Sequence, residues 1–137
     1  MAEIDDARLD ELVGAARATM PRAYAPYSGF AVGAAILGED DAIHPGANIE
    51  NASYPLSVCA ERNAVGAMVL AGQRRVAAVA VATDAERPTP PCGGCRQVLW
   101  EFGDADVPVI AEGANGARSR WALGDLLPDA FGPGDLR

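Results

Sequence analysis

Three cysteines constrain this chain of 137 residues more than any other feature of its sequence. Cys92 and Cys95 form a Cys-Gly-Gly-Cys motif, and Cys59 lies far upstream of them. Apolar spacing predicts one helix that begins at Cys59 and runs to residue 70, and another over residues 92–102. The odd number of cysteines argues against a disulfide framework. The pattern therefore indicates a fold in which two helix N-termini aim three thiols at one point.

The remaining segments predict how such a fold is built. Apolar residues at helical spacing predict a first helix over residues 5–19, which Pro21 ends. Turn signals and short apolar runs predict five strands, over residues 30–38, 42–50, 74–84, 107–113 and 117–123. A last short helix is predicted over residues 123–131. The almost continuously apolar third run is typical of a central strand buried on both faces. A hairpin followed by β-α-β crossovers predicts an α/β fold, a mixed sheet with helices on both faces, in one domain over residues 1–137.

Charge and composition exclude several classes of partner. The net charge is −8 and no basic stripe with interleaved aromatic residues is visible, so no nucleic acid is expected to bind. No apolar run reaches the ~18 residues that a membrane-spanning helix needs, so no membrane partner is expected. The first residues, MAEIDDARLDELV, are acidic where a signal peptide would be basic. We therefore expect a cytoplasmic protein, and its acidity is compatible with a small, uncharged substrate.

The Cys-x-x-Cys motif alone fits a redox pair and a metal site equally well. Cys59 and Glu61 favour the metal, because three thiolates leave one position of a tetrahedral zinc open and the glutamate can move protons beside it. Two alternatives stay open on these residues. His44 could close a structural site with the three thiolates, although a lone histidine is more often a surface or satisfied residue. The two-cysteine motif could also be redox-active, with Cys59 idle.

Charge compensation suggests two further residues around such a metal. Zn²⁺ with three thiolates carries a net charge of about −1, which would weaken its Lewis acidity unless it is offset. Arg62, beside Glu61, is a candidate for a hydrogen bond to a ligand sulfur, and Gln97 is a weaker one. The alternative for Arg62 is an ordinary exposed helix arginine.

The wider pattern resembles the small homotetrameric, three-cysteine cytidine deaminases. Cys59-Ala60-Glu61 followed by Pro91-Cys92-x-x-Cys95 matches the zinc-deaminase signature. The resemblance runs from about residue 24 to residue 133, in the segments PYSGFAVGAA, GANIENASYPLSVCAER, PCGGCRQVLWEFG and LLPDAFGP. It implies a three-layer α-β-α fold with one Zn²⁺ per chain. It also implies a role in pyrimidine salvage, the hydrolysis of cytidine and 2′-deoxycytidine to uridine and 2′-deoxyuridine. In the implied mechanism, zinc-bound hydroxide attacks C4 and Glu61 shuttles protons.

The same resemblance implies the substrate contacts. Asn48 and Glu50 would hold the ribose hydroxyls, and their alternative role is turn formation after a strand. Phe30 would pack on the pyrimidine, the backbone N–H of Ala60 would hold O2, and the carbonyl of Pro90 would accept from the amino group. Neighbouring subunits would lend three residues to the site: Ala52, Tyr54 and Phe131. Without the resemblance, each aromatic residue would be assigned to the core.

Three rival functions remain on the sequence alone. A deaminase of an aminocytosine antibiotic such as blasticidin would share the fold, but NIENASYP and AFGP fit the nucleoside enzymes. A nucleic-acid editing deaminase would need a basic surface for a strand, which this acidic chain lacks. A non-catalytic zinc or redox module would keep the cysteines and show no deaminase activity.

Overall fold

Five strands form one mixed sheet in the computed structural model, which describes residues 4–137. In chain order they are β1 (Gly33–Gly38), β2 (Ile43–Ala47), β3 (Val76–Ala82), β4 (Pro108–Glu112) and β5 (Arg118–Ala122). The spatial order is β2-β1-β3-β4-β5. Only the β3–β4 pair is parallel, and the other three pairs are antiparallel. The predicted hairpin and the predicted central strand are thus both present.

Helices cover both faces of this sheet. They are α1 (Asp6–Thr19), α2 (Ala60–Leu70), α3 (Gly93–Phe102) and the short α4 (Leu123–Leu126). One core cluster joins α1 to alternate residues of β1 and β3, and a second joins α2 and α3 to the opposite face. All seven residues of β3 are buried, as a strand covered on both faces requires. The predicted three-layer α/β fold is confirmed. Within residues 4–137, no helix has the length and apolarity to span a bilayer.

The observed elements are shorter than the predicted ones, for example β2 and β3, and two of the differences have clear local reasons. β1 starts at Gly33 rather than at residue 30, because the backbone of Phe30 and Val32 bonds to the side chain of Asn48 instead of a strand. The last helix ends at Leu126 rather than at residue 131. The residue before a proline is pushed out of the helical region, and Leu127, before Pro128, has φ −142° and ψ 68°.

A glycine in β2 lets α2 approach the sheet at backbone distance. A Cβ atom built on Gly46 would lie 2.5 Å from the carbonyl oxygen of Ala60 and 2.9 Å from the Cα of Ala64. No side chain fits there, so the first turn of α2 rests directly on the strand. Since the predicted site residues begin that turn, this contact sets the distance between the site and the sheet.

We expect Gly46→Ala to lower the free energy of unfolding by about 1–3 kcal/mol, because the added methyl group must push α2 away from β2. Thermal unfolding followed by circular dichroism measures the change. Gly14→Ala in α1 is the matched control, since nothing lies within 4 Å of its Cβ position. That control should gain about 0.5–1 kcal/mol from the better helix propensity of alanine. Equal stability of the two variants would contradict the close approach.

Candidate metal centre and active site

Cys59, Cys92 and Cys95 meet where α2 and α3 begin. Their Sγ atoms all lie within 4.8 Å of one another. The Sγ atom of Cys92 is 3.8 Å from that of Cys59 and 3.2 Å from that of Cys95. Cys95 is buried, Cys59 is half-buried and Cys92 is exposed. The thiols therefore form one cluster that is closed by the protein on one side and accessible on the other.

Helix capping explains how the sequence builds this cluster. Cys59 is the N-cap of α2 and Cys92 is the N-cap of α3, whose Sγ accepts from the backbone N–H of Cys95 at 3.4 Å. Both positive helix ends therefore face the thiols. A tetrahedral zinc with Zn–S bonds of about 2.3 Å places its sulfur ligands about 3.8 Å apart. The cluster is thus positioned to bind one metal ion, and its three sulfur donors suit zinc.

The thiols differ in how readily they ionise. Burial raises the pKa of Cys95 above its usual range, and burial also raises that of Cys59. Burial opposes ionisation of Cys92 as well, but hydrogen bonds from the backbone and thiol of Cys95 and from the Cys59 thiol lower its pKa. Three neighbouring thiolates also repel one another. A bound cation offsets both the burial of the thiolate charges and their mutual repulsion. Metal binding is therefore coupled to release of the thiol protons.

Glu61 lies beside the cluster, as the second residue of α2. Its side chain is only 5% exposed. Burial raises the pKa of Glu61, and hydrogen bonds with its own backbone and with the thiol of Cys95 oppose this shift. A buried carboxyl group with a raised pKa can both take and return a proton during a reaction. This arrangement supplies an acid–base group within reach of the metal position.

Asn48 and Glu50 follow β2 and hold the neighbouring segment 27–32. The Nδ2 of Asn48 donates to the carbonyl of Phe30 at 2.8 Å, and its Oδ1 accepts from the backbone N–H of Val32 at 2.8 Å. The carboxylate of Glu50 accepts three hydrogen bonds from the same segment. Both side chains thus act in a turn, the alternative role considered for them, while their contact with a sugar stays a prediction.

The aromatic residues assigned to the substrate site are exposed. The exposed fractions are 42% for Phe30, 68% for Tyr54 and 59% for Phe131. Tyr54 contacts Tyr27 edge to face, with ring centroids 5.9 Å apart. Ala52 is exposed in the same loop as Tyr54. None of the three aromatic residues is part of the core, which was their alternative assignment.

The two backbone groups predicted to contact the base lie at the metal motifs. Ala60 is buried at the start of α2, and Pro90 is half-buried in the segment that leads to α3. Arg96 was not singled out from the sequence. Its Nε donates to the carbonyl of Pro91 at 2.7 Å and its Nη1 to the carbonyl of Leu126 at 2.9 Å. It therefore holds the Pro90 segment against the end of α4, and its position directly after the Cys-x-x-Cys motif was the only signal.

The remaining predicted residues are not brought to the sulfurs. Arg62 is exposed on α2, and in residues 4–137 no hydrogen bond joins it to a thiol. Gln97 donates to the carbonyl of Phe131 at 2.8 Å instead. His44 is buried in β2, where its Nε2 lies 3.4 Å from Asp40 Oδ1. Among the described residues the cysteine group contains no histidine, so the closed Cys₃His alternative has no ligand.

Comparisons with known proteins agree with this geometry. The family model of the cytidine and deoxycytidylate deaminase zinc-binding region matches residues 7–111. The cytidine deaminase of Halalkalibacterium halodurans is 48% identical over 83% of this chain and 86% of that protein. The cytidine deaminase of Mycobacterium tuberculosis is 46% identical over 83% of this chain and 82% of that protein. A crystal structure of cytidine deaminase from Burkholderia pseudomallei superposes with a TM-score of 0.85 at 45% identity, over 89% of this chain and 98% of that one.

Proposed function

The chain belongs to the cytidine and deoxycytidylate deaminase family, and from this premise we propose that it hydrolyses cytidine and 2′-deoxycytidine to uridine and 2′-deoxyuridine, with release of ammonia. The observation that carries this proposal is the cluster of Cys59, Cys92 and Cys95 with the buried Glu61 beside it. One catalytic domain over residues 1–137 would perform the reaction. In the cell it would return cytosine nucleosides to the uridine pool.

The chemistry divides between the metal and Glu61. Cys59, Cys92 and Cys95 would hold a zinc ion, which when bound would lower the pKa of the water that attacks the ring. Glu61 takes the proton of that water and delivers it to N3 of the ring, which makes C4 electrophilic. After a hydroxyl group adds to C4, Glu61 would take the proton of that hydroxyl and pass it to the amino group. The C4–N4 bond then breaks, ammonia leaves and the C4 carbonyl forms. One carboxyl group can serve twice because burial raises its pKa.

Backbone groups and one aromatic ring would orient the base. The N–H of Ala60 at the positive end of α2 suits the O2 carbonyl. The carbonyl of Pro90 would accept from the amino group that leaves, and proline keeps this acceptor although it lacks an N–H. The exposed ring of Phe30 is available to pack on the pyrimidine. Arg62 and Gln97 have no role in this proposal, because Arg62 is exposed and Gln97 donates to a backbone carbonyl away from the sulfurs.

Charge favours a free nucleoside over a nucleotide. The chain carries a net charge of −8, and hydrogen bonds keep the carboxylate of Glu50 ionised near the proposed sugar site. A 5′-phosphate would be repelled by both.

An absorbance assay on cytidine, 2′-deoxycytidine and 2′-deoxycytidine monophosphate, run with metal analysis, tests the function. We expect turnover of both nucleosides, a much lower kcat/KM for the monophosphate and one zinc ion per chain. Blasticidin is a useful fourth substrate, because turnover of blasticidin alone would favour the antibiotic deaminase. Zinc without any deamination would favour a non-catalytic module.

We also propose a homotetramer in which neighbouring subunits complete each site. The support is that Tyr54 and Phe131 are more than half exposed in the isolated chain, where large aromatic side chains are usually covered. Ala52 lies exposed in the loop of Tyr54. An aromatic side chain lent by a neighbour would exclude water from the pyrimidine.

Mixed tetramers test the shared site. A Phe131→Ala chain keeps Glu61 in its own site but cannot lend the Phe131 ring to its neighbour's site. A Glu61→Gln chain lacks the proton shuttle in its own site but still lends the ring. When both variants are unfolded together and refolded with zinc, we expect activity above the sum of the two separate variants. Light scattering gives the subunit number of each sample. Strictly additive activity in mixed tetramers would place Phe131 in its own subunit's site.

The cysteine cluster also supports our proposal of a cytoplasmic enzyme. Three free thiols lie close enough to oxidise in pairs. A reducing compartment keeps such thiols available for zinc.

A further inference from the structure

The carboxylate of Glu50 is nearly saturated by hydrogen bonds from its own chain. Oε1 accepts from the backbone N–H groups of Tyr27, at 2.9 Å, and Ser28, at 3.1 Å. Oε2 accepts from the hydroxyl of Ser28. A carboxylate offers about four acceptor positions, two on each oxygen. Oε1 is therefore filled, and Oε2 keeps one acceptor position for a ligand.

Ser28 connects this carboxylate to Phe30. Its hydroxyl donates to Glu50 and accepts from the backbone N–H of Phe30 at 3.0 Å. Gly29 between them has φ 69°, a conformation that favours glycine and lets the chain fold back. The hydrogen bond from the Ser28 hydroxyl lowers the pKa of Glu50 more than any other interaction does. The carboxylate is consequently ionised at neutral pH and can only accept hydrogen bonds.

We propose that Ser28 is a positioning residue for the substrate sugar: its hydroxyl fixes the Glu50 carboxylate so that the last acceptor position of Oε2 receives one sugar hydroxyl. This inference rests on the proposed nucleoside deamination. The hydroxyl is the 3′ one, which cytidine and 2′-deoxycytidine share. Asn48 uses one N–H of its amide on Phe30, so the second N–H is available to the same sugar oxygen. A single bound hydroxyl lets the site accept both nucleosides.

The kinetic effect of losing the Ser28 hydroxyl follows from this geometry. Without it, Oε2 loses the one donor that residues 4–137 provide, and the carboxylate can turn or take up water. We expect Ser28→Ala to reduce kcat/KM about tenfold for cytidine, mainly through KM, which corresponds to one hydrogen bond to a charged group. The loss should be as large for 2′-deoxycytidine. For 3′-deoxycytidine it should be less than about twofold, because that substrate has no hydroxyl for Oε2.

The experiment measures kcat and KM of the zinc-loaded enzyme with these three nucleosides. The wild type, Ser28→Ala and Ser28→Thr are compared, and Ser119→Ala on β5 is the matched control. We expect Ser28→Thr to recover most of the activity because it keeps the hydroxyl, and Ser119→Ala to equal the wild type. Thermal unfolding and zinc content are recorded for every variant.

Different failures have different meanings. An equal loss for all three nucleosides in Ser28→Ala overturns the proposal, since a general disturbance of the loop does not depend on the 3′ hydroxyl. Equal kcat/KM of the wild type for cytidine and 3′-deoxycytidine also overturns the proposal. Glu50 would then make no contact with the 3′ hydroxyl, although the enzyme would still be a deaminase. A zinc-loaded wild type without activity on any nucleoside refutes the proposed function itself.

Discussion

Replacing Glu61 by glutamine should reduce kcat for cytidine by about 10²–10⁴-fold while one zinc ion per chain is retained. The amide keeps the size of the side chain but cannot take a proton from water or return one to the ring. Glu61 is 5% exposed, so no bulk base can replace it easily. Steady-state kinetics and metal analysis on the same preparation separate the loss of proton transfer from loss of the metal.

Glu101→Gln is the matched control for that experiment. Glu101 lies on α3, the helix that contains Cys95 and is capped by Cys92, but its side chain is exposed. The same chemical change there should leave kcat and zinc content unaltered. If Glu61→Gln retained near-normal turnover with zinc bound, Glu61 would not be the proton shuttle.

Cys59→Ala should lose most of its zinc and, with it, most deaminase activity. The substitution leaves two sulfur ligands from one Cys-x-x-Cys motif, where the intact cluster offers three sulfurs. Ligand binding stabilises only the folded state, so thermal unfolding should also move to a lower temperature in the presence of zinc. Metal stoichiometry after dialysis against a weak chelator gives the direct measurement.

Cys59→His distinguishes the loss of a ligand from the loss of a cysteine. An imidazole nitrogen is also a zinc ligand, and zinc deaminases use histidine or cysteine at this position. We expect Cys59→His to retain more zinc than Cys59→Ala. Wild-type zinc content in Cys59→Ala would remove Cys59 from the ligand set.

The elements of the fold were predictable where one local signal dominates. β3 is buried along its whole length, and its apolar run marks it as a central strand. The helix starts at Cys59 and Cys92 were predictable from spacing alone. The ends of elements were less so, because Asn48 withdraws residues 30–32 from β1 through side-chain bonds that spacing does not reveal.

The candidate site divides in the same way. The cysteines and Glu61 follow from spacing and from the chemistry of metal ligands. The role of Ser28 depends on a contact to Glu50, 22 positions away, and that of Arg96 on a carbonyl 30 positions away. Neither contact leaves a periodic signal in the sequence. The placement of Gln97 against Phe131, away from the sulfurs, is likewise a property of the folded C-terminal segment.

The contact at Gly46 also bears on how this enzyme can tolerate sequence change. Where side chains lie between a helix and the sheet, the distance between the two depends on the volumes of those side chains. At Gly46 the backbone of α2 contacts the strand with no side chain between them. Changes in side-chain volume therefore cannot alter the distance between helix and strand at this point. Exchanges among the apolar residues farther along α2 can therefore tilt its far end while its first turn stays in place. Substitutions in the core farther along α2 are therefore expected to leave Cys59 and Glu61 in position.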